Sequence, residues 1–234
     1  MNFLHQGLIE LGFDKGNFCG IPLCPVDKLE NSLDEYTKIL LEYNEKFDLI
    51  NSHDYDETII RHILDSLSGA AIIAEFAEKI CSKEKRQPLI ADIGSGAGLP
   101  GIPLALAFPS LSFTLVERMT KRCSFLEHCI SALKIENACV EENQVERLEQ
   151  KRFDLCVFRA FRPLEKKMTK FLLRILKDNG SLLAYKAKLQ KITEEMDALG
   201  RMQDSYIIKK LTVPFLTENC SGEERERHLL IINK

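Results

Sequence analysis

Asp92 is followed within nine positions by Gly94, Gly96, Gly98 and Gly101. Glycine has no Cβ and tolerates positive φ, so such a run lets bare backbone come close to a ligand. Ahead of it, Leu89, Ile90, Ala91 and Ile93 form a short apolar run of the kind found in a buried parallel strand. Behind it, Pro103 stands where the first turn of a helix tolerates proline, and Leu104 to Phe108 continue the apolar pattern. The stretch reads strand, glycine loop, helix. In an open α/β sheet, ligands sit beyond the carboxyl ends of the strands where the strand order reverses. A tight turn with nothing bound needs fewer glycines than these four.

Two nucleotide-type ligands compete for this loop. Gly96-Ala97-Gly98-Leu99-Pro100-Gly101 fits the dinucleotide fingerprint G-x-G-x-x-G, which points to a nicotinamide oxidoreductase. Asp92 to Gly98 instead resembles the first motif of S-adenosylmethionine-dependent methyltransferases with a Rossmann-like fold. Asp92 favours the second reading. A pyrophosphate at a helix N-terminus is anionic and would be repelled by a nearby carboxylate, whereas a cofactor with an amino group and a sulfonium is not. Phe113 to Val116 form a second strand ending in Glu117, placed to accept ribose hydroxyls of either cofactor.

Methyl transfer from a sulfonium requires donor and acceptor to be held at roughly 3–3.5 Å. A pyrimidine ring carbon also requires a covalent nucleophile, usually cysteine. An exocyclic amine requires strong acceptors around it. Guanine N7 has a free in-plane lone pair and requires neither. The loop after the fourth strand reads Phe158-Arg159-Ala160-Phe161-Arg162-Pro163, with no Asp/Asn-Pro-Pro-aromatic signature and no Pro-Cys or Thr-Cys pair. That absence favours a ready-made nucleophile. Arg159 suits a carboxylate or phosphate by a bidentate contact, and Phe161 suits stacking on a base or a place in the core. Val145 and Glu146 follow the third strand, where the adenine of such a cofactor would lie. Lys121, Arg122 and Lys186 are candidate phosphate contacts, Lys186 on the same rim as Arg159. His62 and Asp65 are three apart, hence on one helix face. They form either a ligand pair or a hydrogen-bonded link between an N-terminal extension and the rest.

The elements that must carry these residues follow from periodicity. A short helix is expected over 2–13, a turn-rich connector over 16–25, and amphipathic helices over 27–47 and 54–76. Asp54 and Glu57 resemble a capping box at the start of the latter. Residues 82–87 read as a charged linker. Strands are expected near 89–93, 112–117, 137–141, 153–158, 179–186, 204–210 and 227–233, with helices near 101–108, 120–133, 162–176 and 188–199. The last two strands, joined by a polar loop over 214–224, suggest an antiparallel edge. The expectation is an α/β, mostly parallel seven-stranded sheet over residues 81–234, with residues 1–80 as a helical extension packed on it.

Composition narrows the class. At 234 residues, 45% hydrophobic and 29% charged, the chain is globular. No apolar run reaches the ~18 residues of a membrane helix, and the N-terminus lacks the pattern of a signal peptide. The eight cysteines include no C-x-x-C pair, so neither a zinc site nor a redox dithiol is expected, and reduced thiols suit a cytoplasmic protein. Residues 1–80 carry a net charge of −9 and the remainder +6. A basic part holding the glycine loop can attract a polyanion.

Four stretches together are far narrower than a glycine loop: Arg61-His-Ile-Leu-Asp-Ser66, Ala91-Asp-Ile-Gly-Ser-Gly-Ala-Gly-Leu-Pro-Gly-Ile-Pro-Leu104, Val116-Glu-Arg-Met-Thr-Lys-Arg122 with Phe125-Leu126, and Arg159-Ala-Phe161. Over about residues 27–210 the chain resembles the small-subunit ribosomal RNA methyltransferase G family, also called glucose-inhibited division protein B. The resemblance implies a Rossmann-like class I methyltransferase fold and S-adenosylmethionine as cofactor. It also implies methylation of guanine N7 in the 530 loop of bacterial 16S rRNA, as free RNA or in the 30S subunit. Gly94, Leu99, Val145, Glu146 and Arg159 match the family's cofactor-binding positions, and Glu117 its ribose-binding acid. A monomer without metal is expected. Phe158 and Ala187 depart from the family, which usually has Ser and Gly there.

Overall fold

The structure, a computed structural model, describes residues 2–200, 206–217 and 225–234. The N-terminal part begins with α1 (Phe3–Glu10) and a two-residue antiparallel pair, β1 (Asn17–Phe18) with β2 (Ile21–Pro22), inside the expected connector. Helix α2 (Val26–Phe47) follows and buries Leu29, Leu33, Tyr36 and Leu40 at three- and four-residue spacing. The single helix expected over 54–76 is in fact several pieces: α3 (Tyr55–Thr58), a π-helical turn (Ile59–Leu64), α4 (Asp65–Leu67) and α5 (Ala70–Glu84). Asp54 caps α3, its side chain accepting the Glu57 N–H at 2.8 Å.

The break has a packing reason. A Cβ on Gly69 would lie 2.5 Å from the Tyr185 hydroxyl, so the glycine lets that ring approach the joint, where it donates to the Ser66 carbonyl at 2.7 Å. The first half of the stretch expected as a charged linker is the end of α5, closed by Lys85 in the left-handed region. Arg86 then grips Asp154 with both terminal guanidinium nitrogens, at 2.6 and 2.8 Å.

From residue 89 strands and helices alternate: β3 (Leu89–Ile93), α6 (Gly101–Ala107), β4 (Ser112–Glu117), α7 (Thr120–Ala132), β5 (Ala138–Glu142), β6 (Phe153–Arg159), α8 (Lys166–Ile175), β7 (Leu176–Lys186), α9 (Leu189–Leu199), β8 (Ile207–Lys210) and β9 (His228–Asn233). Helix α8 starts at Lys166 rather than at 162, with Glu165 as its N-cap; Pro163 disfavours a helical conformation at Arg162. The strand expected from 204 is seen from Ile207, and residues 204 and 205, Cys220 and most of the 214–224 loop lie outside the described residues.

The sheet order is β5-β4-β3-β6-β7-β9-β8, with β9 antiparallel to both its neighbours. The antiparallel edge is therefore β8, and β9 is an inner strand. The order reverses at β3, which pairs in parallel with β4 on one side and β6 on the other. Alternate strand residues point to opposite faces. Ile90, Leu155, Val157, Leu183 and Ile231 join a core with residues from α1, α2, α5, α6 and α7. Ala91, Cys156, Leu182, Ala184 and Ile232 join a second core under α8 and α9. Helix α5 runs across residue 80, and the N-terminal helices share the first core with the sheet.

Candidate functional site

At the reversal point the β3–α6 loop takes positive φ at Gly94 (68°), Gly96 (58°) and Gly98 (85°). Asp92 shapes it from below. It is fully buried, and its Oδ2 accepts from Ser95 Oγ at 2.6 Å and from the Gly101 N–H at 3.0 Å. A Cβ on Gly101 would sit 2.6 Å from that oxygen. Burial raises the Asp92 pKa to about 6, against the pull of these two hydrogen bonds. Its Oδ1 has no partner among the described residues. Tyr36, buried on α2, donates to the Ala97 carbonyl from the other side of the loop.

Two cavities open above the strand ends. The first, of about 260 Å³, is lined by Ile93, Gly94, Val116, Glu117, Arg118, Arg122, Asn143, Gln144, Val145, Glu146, Ala160, Phe161 and Arg162. Of the residues singled out in the sequence, Gly94, Glu117, Arg122, Val145, Glu146 and Phe161 meet here. Asp92, Gly96, Gly98 and Leu99 form the loop without lining the cavity, and Lys121 is exposed outside it. Glu117 is already engaged by three backbone N–H groups: Gly96 on one oxygen, Arg118 and Met119 on the other. A carboxylate has about four lone-pair sites, so one remains for a ligand hydroxyl.

The second cavity, of about 280 Å³, is lined by Asp65, Phe158, Arg159, Ala160, Phe161, Tyr185, Lys186, Ala187, Leu211 and Arg227. Phe161 and Ala160 belong to both walls. The Phe161 ring packs edge-on against Phe158 at 5.6 Å, and a Cβ on Gly94 would fall 2.6 Å from it. Lys186 is tied to Glu195 at 2.6 Å.

Arg159 is held from the N-terminal part. Its Nη1 donates to Asp65 Oδ2 at 3.0 Å and to the Arg61 carbonyl at 3.1 Å, and its Nη2 lies 3.0 Å from His62 Nδ1. A guanidinium only donates, so Nδ1 accepts and the ring hydrogen is on Nε2. Burial lowers the His62 pKa to about 3, and the Arg159, Arg61 and Arg227 charges push the same way, so the ring is neutral. Arg227 Nε also reaches Asp65 Oδ2, at 3.3 Å. The His62/Asp65 pair thus links the segment between α3 and α5 to the sheet, with Arg159 as the tie. Sequence reasoning missed Arg227, because its place beside Asp65 follows from β9 lying inside the sheet. Asn143 and Gln144 carried no signal beyond their position before Val145.

The donor set suits a nucleoside with an amino-acid tail. Ile93, Val116 and Val145 give the first cavity apolar walls, Glu117 keeps an open acceptor, and guanidiniums stand at the rim. The fold agrees. A methyltransferase of Aquifex aeolicus, described as S-adenosylmethionine dependent, superposes with a TM-score of 0.52 at 10% identity, covering 84% of this chain and 97% of that one. The plantazolicin methyltransferase BpumL, solved with S-adenosylhomocysteine, gives 0.53 at 14% identity, covering 89% and 98%. Together these define a class I methyltransferase fold of the Rossmann-like type. Sequence narrows it further: a family model described as rRNA small subunit methyltransferase G matches residues 29–230. Proteins with that name from Treponema denticola and Cupriavidus pinatubonensis are 36% and 31% identical, each over 99% of this chain and 93% and 92% of their own lengths. The chain belongs to the rRNA small subunit methyltransferase G family. It is an S-adenosylmethionine-dependent methyltransferase, and the oxidoreductase reading falls away.

Proposed function

We propose that the protein methylates N7 of a guanine in the 530 loop of 16S rRNA, as free RNA or in the 30S subunit. The observation that carries this reading is the pair of cavities meeting at Ala160 and Phe161, one suited to a nucleoside cofactor and one open to an acceptor base. Bound in the first cavity, S-adenosylmethionine supplies an electrophilic methyl group. Gly94 lets the backbone approach it, and Glu117 accepts one ribose hydroxyl with its remaining lone pair. Val145 and Glu146 flank the adenine, and Arg159 holds an anionic oxygen where the cavities join. Asp92, Gly96, Gly98 and Leu99 act by shaping the loop. Phe161 stacks on the acceptor base, while Lys121 and Arg122 meet phosphates. Lys186, a candidate for the same role, lines the second cavity with its charge shared with Glu195 and adds less to phosphate binding. N7 carries no proton, so no residue has to remove one, in keeping with a loop that offers no general base. Residues 1–80 serve as a helical extension that completes the site rather than as a separate domain. The protein works as a monomer in the cytoplasm, where its substrate is.

Nucleoside mass spectrometry of 16S rRNA from cells with and without the gene tests the assignment. One N7-methylguanosine is expected to disappear with the gene, and its persistence would reject the substrate. Calorimetry with S-adenosylhomocysteine and with NAD(H) tests the cofactor, binding being expected for the first alone.

A further inference from the structure

Arg159 is 15% exposed as a side chain and its partner Asp65 5%, so the pair is largely removed from water. Such a pair is costly unless every remaining hydrogen-bonding position is filled. Here three positions are not. His62 Nε2, Asp65 Oδ1 and Arg159 Nε are all buried with no partner among the described residues. Buried polar groups in native proteins are almost always paired. Of the three, His62 Nε2 and Arg159 Nε are donors that an anionic oxygen can satisfy, whereas Asp65 Oδ1 is an acceptor that it cannot. The cluster borders the second cavity through Asp65, Arg159 and Arg227.

The contacts also decide which donors Arg159 keeps. Both Nη1 hydrogens are used, one by Asp65 and one by the Arg61 carbonyl, and one Nη2 hydrogen goes to His62. The Nε hydrogen and the second Nη2 hydrogen remain. A guanidinium that retains two donors suits an anionic oxygen pair, a carboxylate or a phosphate. The three acceptors come from a single turn of the N-terminal part, and the π-helical segment Ile59–Leu64 delivers two of them. Single π turns are rare and concentrate at functional sites.

We propose that His62 and Asp65 are positioning residues, which hold Arg159 so that its unused donors meet an anionic oxygen of the bound cofactor or RNA. This rests on the methyltransferase reading above. It makes the N-terminal part a component of the site. Neither residue touches the reacting atoms.

The test uses the full-length protein with His62→Leu, which removes the acceptor, and His62→Asn, whose side-chain oxygen can stand near the Nδ1 position. Asp65→Asn is added where it folds. Affinity is measured for S-adenosylhomocysteine and for 5′-methylthioadenosine, which lacks the amino-acid carboxylate, alongside KM for RNA. Losing one hydrogen bond to a charged group is expected to weaken the affected ligand about tenfold or more. If the carboxylate is the partner, His62→Leu weakens S-adenosylhomocysteine and leaves methylthioadenosine unchanged, with His62→Asn close to wild type. If a phosphate is the partner, both small ligands bind normally and KM for RNA rises, again restored by His62→Asn. Equal loss of both small ligands, no change in any ligand, or no rescue by His62→Asn overturns the proposal. A wild-type protein that binds neither small ligand overturns the cofactor reading itself, and this proposal with it.

Discussion

Two buried groups at the site respond to pH with opposite sign. His62 falls from its ordinary 6.5 to about 3 in the folded protein. Below pH 6.5 the unfolded chain gains a proton that the folded one refuses, so stability falls as pH drops towards 3, by at most about 1.4 kcal/mol per unit. Asp92 rises from 3.8 to about 6. Its folded state holds a proton that the unfolded state has lost between those values, so it contributes stability below 3.8 that is gone above 6. A buried carboxylate at neutral pH is therefore costly, by about 3 kcal/mol on the same scale. Asp92→Asn keeps an oxygen for Ser95 and Gly101 without the charge. In urea denaturation the variant is expected to be the more stable protein at pH 8, by up to about that amount. The advantage should shrink below pH 6 and vanish by pH 3.8; a difference independent of pH would refute the burial argument. Gly94 makes a second residue-scale test. With φ at 68° and Phe161 only 2.6 Å from a built Cβ, Gly94→Ala must strain the backbone, at roughly 1–2 kcal/mol, and push the ring aside. S-adenosylhomocysteine affinity is expected to fall about tenfold while the melting temperature drops only a few degrees.

At the scale of elements, the sequence was most legible where local chemistry and fold agree. The β3–loop–α6 unit announced itself, because an apolar strand, glycines at turn positions and a proline in the first helical turn each have one local reading. So did α2, whose stripe at three and four is amphipathic throughout. The segment after Asp54 was less legible for a physical reason. Its apolar spacing continues through both the π turn and Gly69, and periodicity cannot distinguish an unbroken helix from one interrupted inside the core. What interrupts it is a tertiary contact: Tyr185, on a strand more than a hundred residues away, reaches the Ser66 carbonyl through the space Gly69 leaves. Gly69→Ala is therefore expected to cost more than the helix-favouring exchange gains, about 2 kcal/mol or more. Adding Tyr185→Phe, which removes the atom nearest the new methyl, should recover part of that loss. Thermal denaturation of the single and double variants measures it. Additive effects would show that Tyr185 is not the obstacle.

Across the whole molecule, charge and topology are arranged around one rim. The acidic N-terminal part, at −9, and the remainder, at +6, give the chain a dipolar distribution. Its guanidiniums at Arg118, Arg122 and Arg162 surround the first cavity, while Arg159, Arg227 and Lys186 border the second. Both cavities lie at the carboxyl ends of the parallel strands, and a ligand site at that end could be anticipated from alternating strands and helices. That Arg159 spends its charge on the His62–Asp65 turn could not, because its partner Asp65 lies 94 residues away in sequence. Lys186 is paired locally with Glu195, nine residues on, across the turn from β7 into α9. The distinction matters for RNA binding. A cation already paired inside the fold releases little when a phosphate arrives, whereas an exposed one contributes in full to the salt dependence. Lys121 is exposed at the start of α7, beside Arg122 and outside both cavities. Lys121→Ala should thus weaken RNA binding in proportion at all sequences and reduce the slope of log affinity against log salt by about 0.7–0.9. Affinity for S-adenosylhomocysteine should stay at the wild-type value. A salt titration of RNA binding from low to physiological ionic strength reads the slope directly. An unchanged slope would place the RNA elsewhere on the surface.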